Sequence, residues 1–509
     1  MASVGTRWDH ACDVLVVGFG AAGAVAAIEA HDRGADVLLI EKMADPGGIS
    51  ILSAGGIRIA YDANGAFEYL RTTCGGRTSE DVLRVLADGM AELPDYVRQL
   101  ARVDAAEIGI KPAVGNYPFP GCDDLGYVEV TAIPGFSPDV PYHAAWPMRP
   151  GCYLFKLLED NVRHRAIPAW FSTQAIELVR DPQGITGVVA ERDGTTLRIK
   201  AKRAVVLTCG GFEADPTMQR QYFDAHTVLT GSFRGNTGDG IRMCQAVGSD
   251  LWHMWHYHGP YGFRHSDPAF PFGLYVKLLP MWTPQRTSRP LPIMPWIIVD
   301  RHGRRYVNEY PPYMSDTGVR SFGAYDPDAC SYARMPSWLL FDEAGRKLFP
   351  MGRSIVNDRE HRYEWSRDNL REVELGILKR ADTLPELART TGIDPDRLVQ
   401  TVRKWNAACT SGADPEHGRR PETMMRISEP PFYAGEVWPV VINTQGGPVH
   451  DARQRVLDTH RRPIPRLYAA GELGSVFGHV YMAGGNLAEC FVGGRNAARD
   501  AAALPAWDD

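Results

Sequence analysis

The feature that most constrains this chain is a strand–turn–helix–strand pattern near its start. Asp13-Val-Leu-Val-Val-Gly-Phe-Gly-Ala-Ala-Gly-Ala-Val-Ala-Ala-Ile-Glu-Ala passes from an apolar run of strand length, through glycine, into an alanine-rich run of helical length. Gly34-Ala-Asp-Val-Leu-Leu-Ile-Glu41 comes next as a second apolar strand that ends in an acid. Gly18, Gly20 and Gly23 fit G-x-G-x-x-G. The first permits a tight turn, the second lets a pyrophosphate approach the backbone, and the third lets the helix pack closely on the strand. Glu41, 18 residues beyond Gly23, stands where it can accept from a pair of ribose hydroxyls. Glycines alone recur by chance; with both strands and the acid in place they predict a dinucleotide site.

The segment after Glu41 chooses the dinucleotide. Asp45-Pro-Gly-Gly-Ile-Ser-Ile-Leu-Ser-Ala-Gly-Gly56 is too short and polar for a core element, and backbone this bare suits close approach to a flat ring system. Ile185-Thr-Gly-Val-Val-Ala-Glu, a turn at Asp193-Gly194, and the run from Leu197 to Gly211 read as hairpin strands feeding another buried strand with a glycine exit. Asn236-Thr-Gly-Asp-Gly240 precedes a helical pattern. Leu467-Tyr-Ala-Ala-Gly-Glu472 again joins strand to glycine and acid, and Gly484-Gly-Asn-Leu leads into a small-residue helix. Between them, glycine, proline and aromatic residues crowd the chain from Gly259 onward and argue for loops, whereas Leu384 to Cys409 carries helical spacing broken by a Gly392-Ile-Asp-Pro turn.

Composition removes several alternatives. The 509 residues leave room for several compact units, at roughly 150 residues per domain. A formal charge of −6 gives no drive toward phosphate backbones, so no nucleic-acid partner is expected. The nine cysteines are scattered and never spaced C-x-x-C, against zinc, iron–sulfur, c-type haem or a disulfide framework. Residues 1–13 lack the basic and apolar regions of a signal peptide, and no uninterrupted apolar run reaches about 18 residues, so a cytoplasmic setting without an integral membrane segment is expected. Redox chemistry here then needs a bound organic cofactor.

Taken together, over nearly the whole chain, these segments resemble the flavoproteins of the fumarate reductase and 3-ketosteroid dehydrogenase superfamily. The resemblance implies an α/β fold: a Rossmann-like FAD-binding domain, with a parallel sheet, helices and a β-meander, and an inserted α+β capping domain. It divides the chain into residues 1–270 and 444–509 for the FAD domain and 271–443 for the cap, with Ile298 to Glu309 and Ala381 to Ala388 in the cap and Gly446-Gly447 marking the return. It implies FAD contacts at Gly18, Gly20, Ala21, Ala22, Gly23, Glu41 and Lys42, at Gly47, Gly48, Ser50, Ser53, Ala54, Gly55 and Gly56, and at Ala175, Gly210, Asn236, Asp239, Gly471, Glu472, Asn486 and Leu487. Covalent members carry a histidine in the Gly-Gly segment; Gly47-Gly48-Ile-Ser lacks it, so noncovalent FAD is expected.

The fumarate reductase pattern is broken at three places. Asn308-Glu309-Tyr310-Pro311-Pro312 is followed by Tyr313 where that branch has its proton-donating arginine, Asn443-Thr444 stands where a His-Thr pair is expected, and the Gly-x-x-Arg stretch reads Gly478-His479-Val480-Tyr481. A dicarboxylate without these partners would be desolvated and unpaired, at several kcal/mol per charge. The 3-ketosteroid branch is similar at the same places, with a tyrosine at Tyr313 and a Tyr-x-x-x-Gly stretch matched by Tyr481 to Gly485. Desaturation next to a carbonyl needs a base for the acidic α proton and donors aimed at the developing enolate oxygen. The resemblance makes Tyr313 the base, with Arg304, Arg305 or Tyr310 as candidates for depressing its pKa, and Tyr481 and the Gly485 N–H the donors. The expected substrate is a small apolar ketone, foremost a 3-ketosteroid, with an external electron acceptor, a quinone or another. Regiochemistry stays open: Met482-Ala483-Gly484 lacks the prolines of the Δ1 branch and the serine common in the Δ4(5α) branch. Alternatives are an ene-reductase of an unsaturated acid or enone, and a flavin-binding protein without catalysis. His253-Met-Trp-His256-Tyr-His258 lacks a carboxylate at ligand spacing and reads as a lining of the cap interface or pocket, although His253 and His256 could share a helical face. His479 is a candidate pocket group, and Arg301 to Arg305 reads as a solvated turn bent at Gly303.

Overall fold

The computed structural model describes residues 7–225, 227–277, 292–310, 316 and 318–507. Two eight-stranded sheets organise them. In the first, β1 (His10–Val17) lies parallel between β2 (Val37–Ile40) and the strand Thr195–Leu207, with Val14 opposite Val37 and Ala204. Pro463–Ala469 and Ala169–Trp170 extend it at either side. A parallel sheet covered on both faces reads as a continuous apolar run rather than an alternating one. Accordingly Val14 and Val16 feed one core while Leu15 and Val17 feed another. The first core holds α1 (Ala21–Asp32) and the terminal helix Gly485–Ala503, both rich in small residues, which lets their backbones approach closely. On the second, Thr173–Asp181 and Gly184–Arg192 form the expected meander with Thr195–Leu207, turning at Asp193-Gly194.

The second sheet is antiparallel around the strand Phe432–Val441, which pairs with Ser337–Asp342, Tyr261–Phe263 and Leu378–Ala381. The helices Leu384–Thr391 and Pro395–Ser411 cover it, separated at Gly392 in a left-handed turn and capped by Thr383 and Asp394. The α/β fold with a separate antiparallel cap sheet is therefore as expected. Strand pairing in the cap sheet, however, starts upstream of residue 271: Tyr261–Phe263 and Leu229–Thr230 already belong to it. Two chain segments cross between the sheets side by side. Leu251–Trp252 and Tyr257–His258 pair antiparallel with Gly447–Pro448 and Asn443–Thr444 on the way back.

Two expectations need correction. His253 and His256 share no helical face, because His253 has a left-handed backbone (φ 54°) between two short strands. Arg305 is not solvated. Its guanidinium is buried against Glu309 at 2.7 Å and Asp414 at 2.8 Å, and Glu309 also meets Arg419 at 3.4 Å. Burial works against the charge of Glu309, yet these arginines hold its pKa below the ordinary glutamate value. Among the described residues no helix is long and apolar enough to cross a membrane.

Candidate active site

A cavity of about 720 Å³ opens between the two sheets, in the range of roughly 300–1,000 Å³ usual for small-molecule and cofactor sites. One end is the crevice beyond the carboxyl ends of β1 and β2. Gly18, Gly20, Ala21 and Ala22 line it there, at the start of α1, where helix amides and dipole favour an anion. At Gly18 an added Cβ would stand 2.6 Å from the Thr208 carbonyl oxygen. At Gly23 it would run into the Gly18 carbonyl itself, so Gly23 sets the packing of helix on strand and does not line the cavity. Glu41 Oε2 accepts from Phe19 N at 2.7 Å and Oε1 from Met43 N at 2.9 Å, which fixes a carboxylate at the cavity wall. Burial raises its pKa, opposed by these two donors. Lys42 is paired with Asp239 at 2.8 Å.

Gly48, Ser50, Ser53, Ala54 and Gly56 form a bare strip along one wall, and Ala175, Gly210, Asn236, Asp239, Glu472, Asn486 and Leu487 also line the space. Gly47, Gly55 and Gly471 do not: Gly47 N–H donates to Phe19 O at 2.8 Å, Gly55 packs on Pro150, and Gly471 packs on Ala22 and Cys490. Asn236 Nδ2 donates to Glu213 at 2.6 Å and to Glu472 at 3.3 Å. Burial pushes Glu472 up to about 7, and burial with the nearby Glu472 charge raises Glu213 well above the ordinary carboxylate range. Two carboxyls so close retain a proton between them. Behind them Glu489, pushed up to about 8 by burial, accepts from Asn486 Nδ2 at 2.5 Å and Ser475 Oγ at 3.0 Å.

Toward the cap, Tyr481 lines the cavity with its ring 4.3 Å from that of His258 and 5.2 Å from that of Phe477. Burial raises the phenol pKa above its ordinary value, so the hydroxyl keeps its proton and can donate. Burial pushes His258 down to about 4, which leaves it neutral near pH 7. Gly485 is a correction: it does not line the cavity, and its N–H donates to Met482 O at 2.8 Å as the terminal helix begins. The wall there is Ala483 and Gly484, pinned by Arg58, whose Nε donates to Ala483 O at 2.9 Å. Tyr313 lies outside the described residues. His479 does not line the cavity. His253 Nδ1 lies 2.8 Å from Ser475 O, and His256 Nε2 lies 3.0 Å from Asp316 Oδ1. No group of metal-ligating side chains occurs among the described residues.

Sequence reasoning misses Asp316 and Arg353. Asp316 is fully buried, and its Oδ2 accepts from Tyr117 Oη at 2.7 Å and from Tyr481 N at 3.1 Å. No local pattern marks it, because its partners come from three distant parts of the chain. Arg353, on the short strand Gly352–Arg353, lines the cavity from the cap side.

A crevice at the ends of parallel strands, a glycine-lined helix start, a carboxylate at the end of β2 and a bare strip for a flat ring define a flavin-dependent oxidoreductase. The donor set fits FAD. The chain belongs to the FAD-binding domain family, whose model matches residues 13–487. It is an FAD-dependent oxidoreductase, similar over nearly its whole length to fumarate reductases and 3-ketosteroid dehydrogenases. It is 26% identical to the 3-oxosteroid 1-dehydrogenase of Mycolicibacterium smegmatis, over 97% of this chain and 98% of that protein. It is 25% identical to the cytochrome-type fumarate reductase of Shewanella frigidimarina, over 96% of this chain and 77% of that protein. The crystal structure of the 3-ketosteroid Δ1-dehydrogenase from Sterolibacterium denitrificans in complex with 1,4-androstadiene-3,17-dione is 25% identical, with a TM-score of 0.77, and the match covers 97% of this chain and all of that one.

Proposed function

We propose that this chain introduces a C=C bond α,β to the carbonyl of a ring ketone, with a 3-ketosteroid as the leading substrate class and FAD held noncovalently. The observation that carries the reading is Tyr481: a buried, protonated phenol on the cavity wall beside a neutral histidine. Such a phenol donates to a ketone oxygen and is worth most as negative charge builds there. With His258 neutral and Lys42 paired with Asp239, Arg353 is the one cation on the described cavity wall without a carboxylate partner, which suits one acid group at most and not a dianion. FAD, when bound, supplies the two-electron acceptor. Gly18, Gly20, Ala21 and Ala22 would hold its pyrophosphate and Glu41 its ribose, with Gly48, Ser50, Ser53, Ala54 and Gly56 along the ring. Tyr313 is the proposed base for the α proton. The reading draws support from Asp316, three positions further along the chain, which accepts from the Tyr481 backbone N–H. Electrons then leave to an external acceptor such as a quinone.

The second reading, an ene-reductase, is favoured by the similarity to the fumarate reductase, whose named activity runs in the other direction. Anaerobic spectral titration of the purified yellow holoenzyme separates them. Bleaching of the flavin by a saturated 3-ketosteroid is expected. Reoxidation of the prereduced flavin by an unsaturated acid, with no bleaching by any saturated ketone, would replace the first reading by the second.

A further inference from the structure

The charged side chains on the cavity wall are compensated, with one exception. Lys42 meets Asp239 at 2.8 Å, Glu129 meets Lys111 at 2.7 Å, Glu41 accepts two backbone N–H bonds, and Glu472 accepts from Thr444 N at 2.9 Å. Arg353 has no such partner. Its Nε is buried without a hydrogen bond, and among the described residues no carboxylate pairs with it. It stands opposite Tyr275 in the cap sheet, and the Tyr275 hydroxyl is bonded to Ser232 Oγ. Burial lowers its pKa, yet a guanidinium stays charged at neutral pH.

Arg353 is half-buried, with its Nε shut off from water and left without a hydrogen bond, and a planar guanidinium is built to take a carboxylate through two parallel bonds. Its position on the cap strand Gly352–Arg353 sets it on the other sheet from the α1 start assigned to the pyrophosphate. We propose that Arg353 binds a carboxylate carried by the substrate, so that the substrate class is a ring ketone bearing a single acid group. This rests on the ketone reading above and narrows it.

The test uses the holoenzyme and two pairs of ligands: 4-oxocyclohexanecarboxylate with its methyl ester, and a 3-ketosteroid bearing a side-chain carboxylate with its methyl ester. Dissociation constants come from perturbation of the flavin spectrum, and turnover from anaerobic bleaching. For at least one pair the wild type is expected to bind the acid roughly 10²-fold more tightly than the ester, as for a charge-assisted pair inside a cavity. In Arg353→Met the ratio falls to near one, and Arg353→Lys keeps part of it. Equal binding of acid and ester by the wild type in both pairs overturns the proposal. So does a ratio unchanged in Arg353→Met, and so does loss of FAD by that variant, which would assign the guanidinium to the cofactor. Bleaching tests the ketone reading separately: if none of the four ketones bleaches the flavin, that reading falls, while the acid-to-ester binding ratio still decides Arg353.

Discussion

Tyr481→Phe isolates one atom. The side chain is 5% exposed and wedged between Phe477 and His258. Phenylalanine keeps that packing and removes only the hydroxyl. The hydroxyl accepts from Asn486 N at 3.5 Å, and loss of a neutral hydrogen bond costs about 0.5–1.5 kcal/mol of stability. The kinetic cost is larger if this O–H faces developing enolate charge: losing one such donor removes roughly 10²–10³-fold in rate, about 2.7–4 kcal/mol of transition-state stabilisation. The assay is rapid anaerobic mixing of holoenzyme with a saturated 3-ketosteroid, following flavin absorbance through a single turnover. The limiting rate should fall by that factor while ketone affinity changes by less than about tenfold. Because burial raises the phenol pKa, Tyr481 stays a donor from acid to mildly alkaline pH, and its ionisation should not shape the wild-type profile between about pH 6 and 9. A Tyr481→Phe rate within about threefold of wild type, with FAD content intact, would refute the role, since that corresponds to less than about 1 kcal/mol of barrier.

The packing and the buried charges give three more expected outcomes. Gly23→Ala places a methyl against the Gly18 carbonyl, so α1 must retreat from the strand end; overpacking of about 1–3 kcal/mol should appear as a lowered melting temperature and substoichiometric FAD, and full FAD occupancy would contradict it. Glu309→Gln leaves Arg305 and Arg419 buried with weakened compensation, and chemical denaturation should show a loss of about 3–5 kcal/mol. Glu489 has its folded pKa raised to about 8, so the native state keeps a proton that the unfolded chain releases from about pH 4.5 upward. The stability it contributes is present in acid and is lost as pH rises toward 8; Glu489→Gln should therefore flatten the decline of the denaturation midpoint between about pH 5 and 8, and parallel declines in variant and wild type would argue against it.

The readability of this chain divides along the range of its interactions. Residues 13–41 are legible because each signal is local: an apolar run, a glycine at each close approach and an acid at a strand end all act within one βαβ unit. The meander at Asp193-Gly194 and the two cap helices around Gly392 are local in the same sense, and the described strands and helices agree with them. Arg305 misleads because a run of arginines near a turn glycine looks solvated until Glu309, four residues on, and Asp414, more than a hundred away, fold onto it. Gly485 misleads for a related reason. The Tyr-x-x-x-Gly spacing gives separation along the chain but not the direction of an amide, and the left-handed Gly484 turns that amide onto Met482.

The cap side of the cavity shows the same limit more sharply. His258 and Tyr481 meet across more than two hundred residues, and Asp316 joins Tyr117, His256 and Tyr481 from three separate regions. Nothing in Met351-Gly-Arg-Ser marks Arg353, since its significance is an absence: among the described residues no acid folds against it. A missing partner is a property of the assembled cavity, and only folding decides whether a cation finds its counter-charge in the protein or leaves it to the ligand. The family fixes the redox chemistry through the cofactor cradle of the first sheet. On the reading proposed above, selection among ketones, acids and enones falls to Arg353, His258 and Tyr481, which line the cavity away from that cradle.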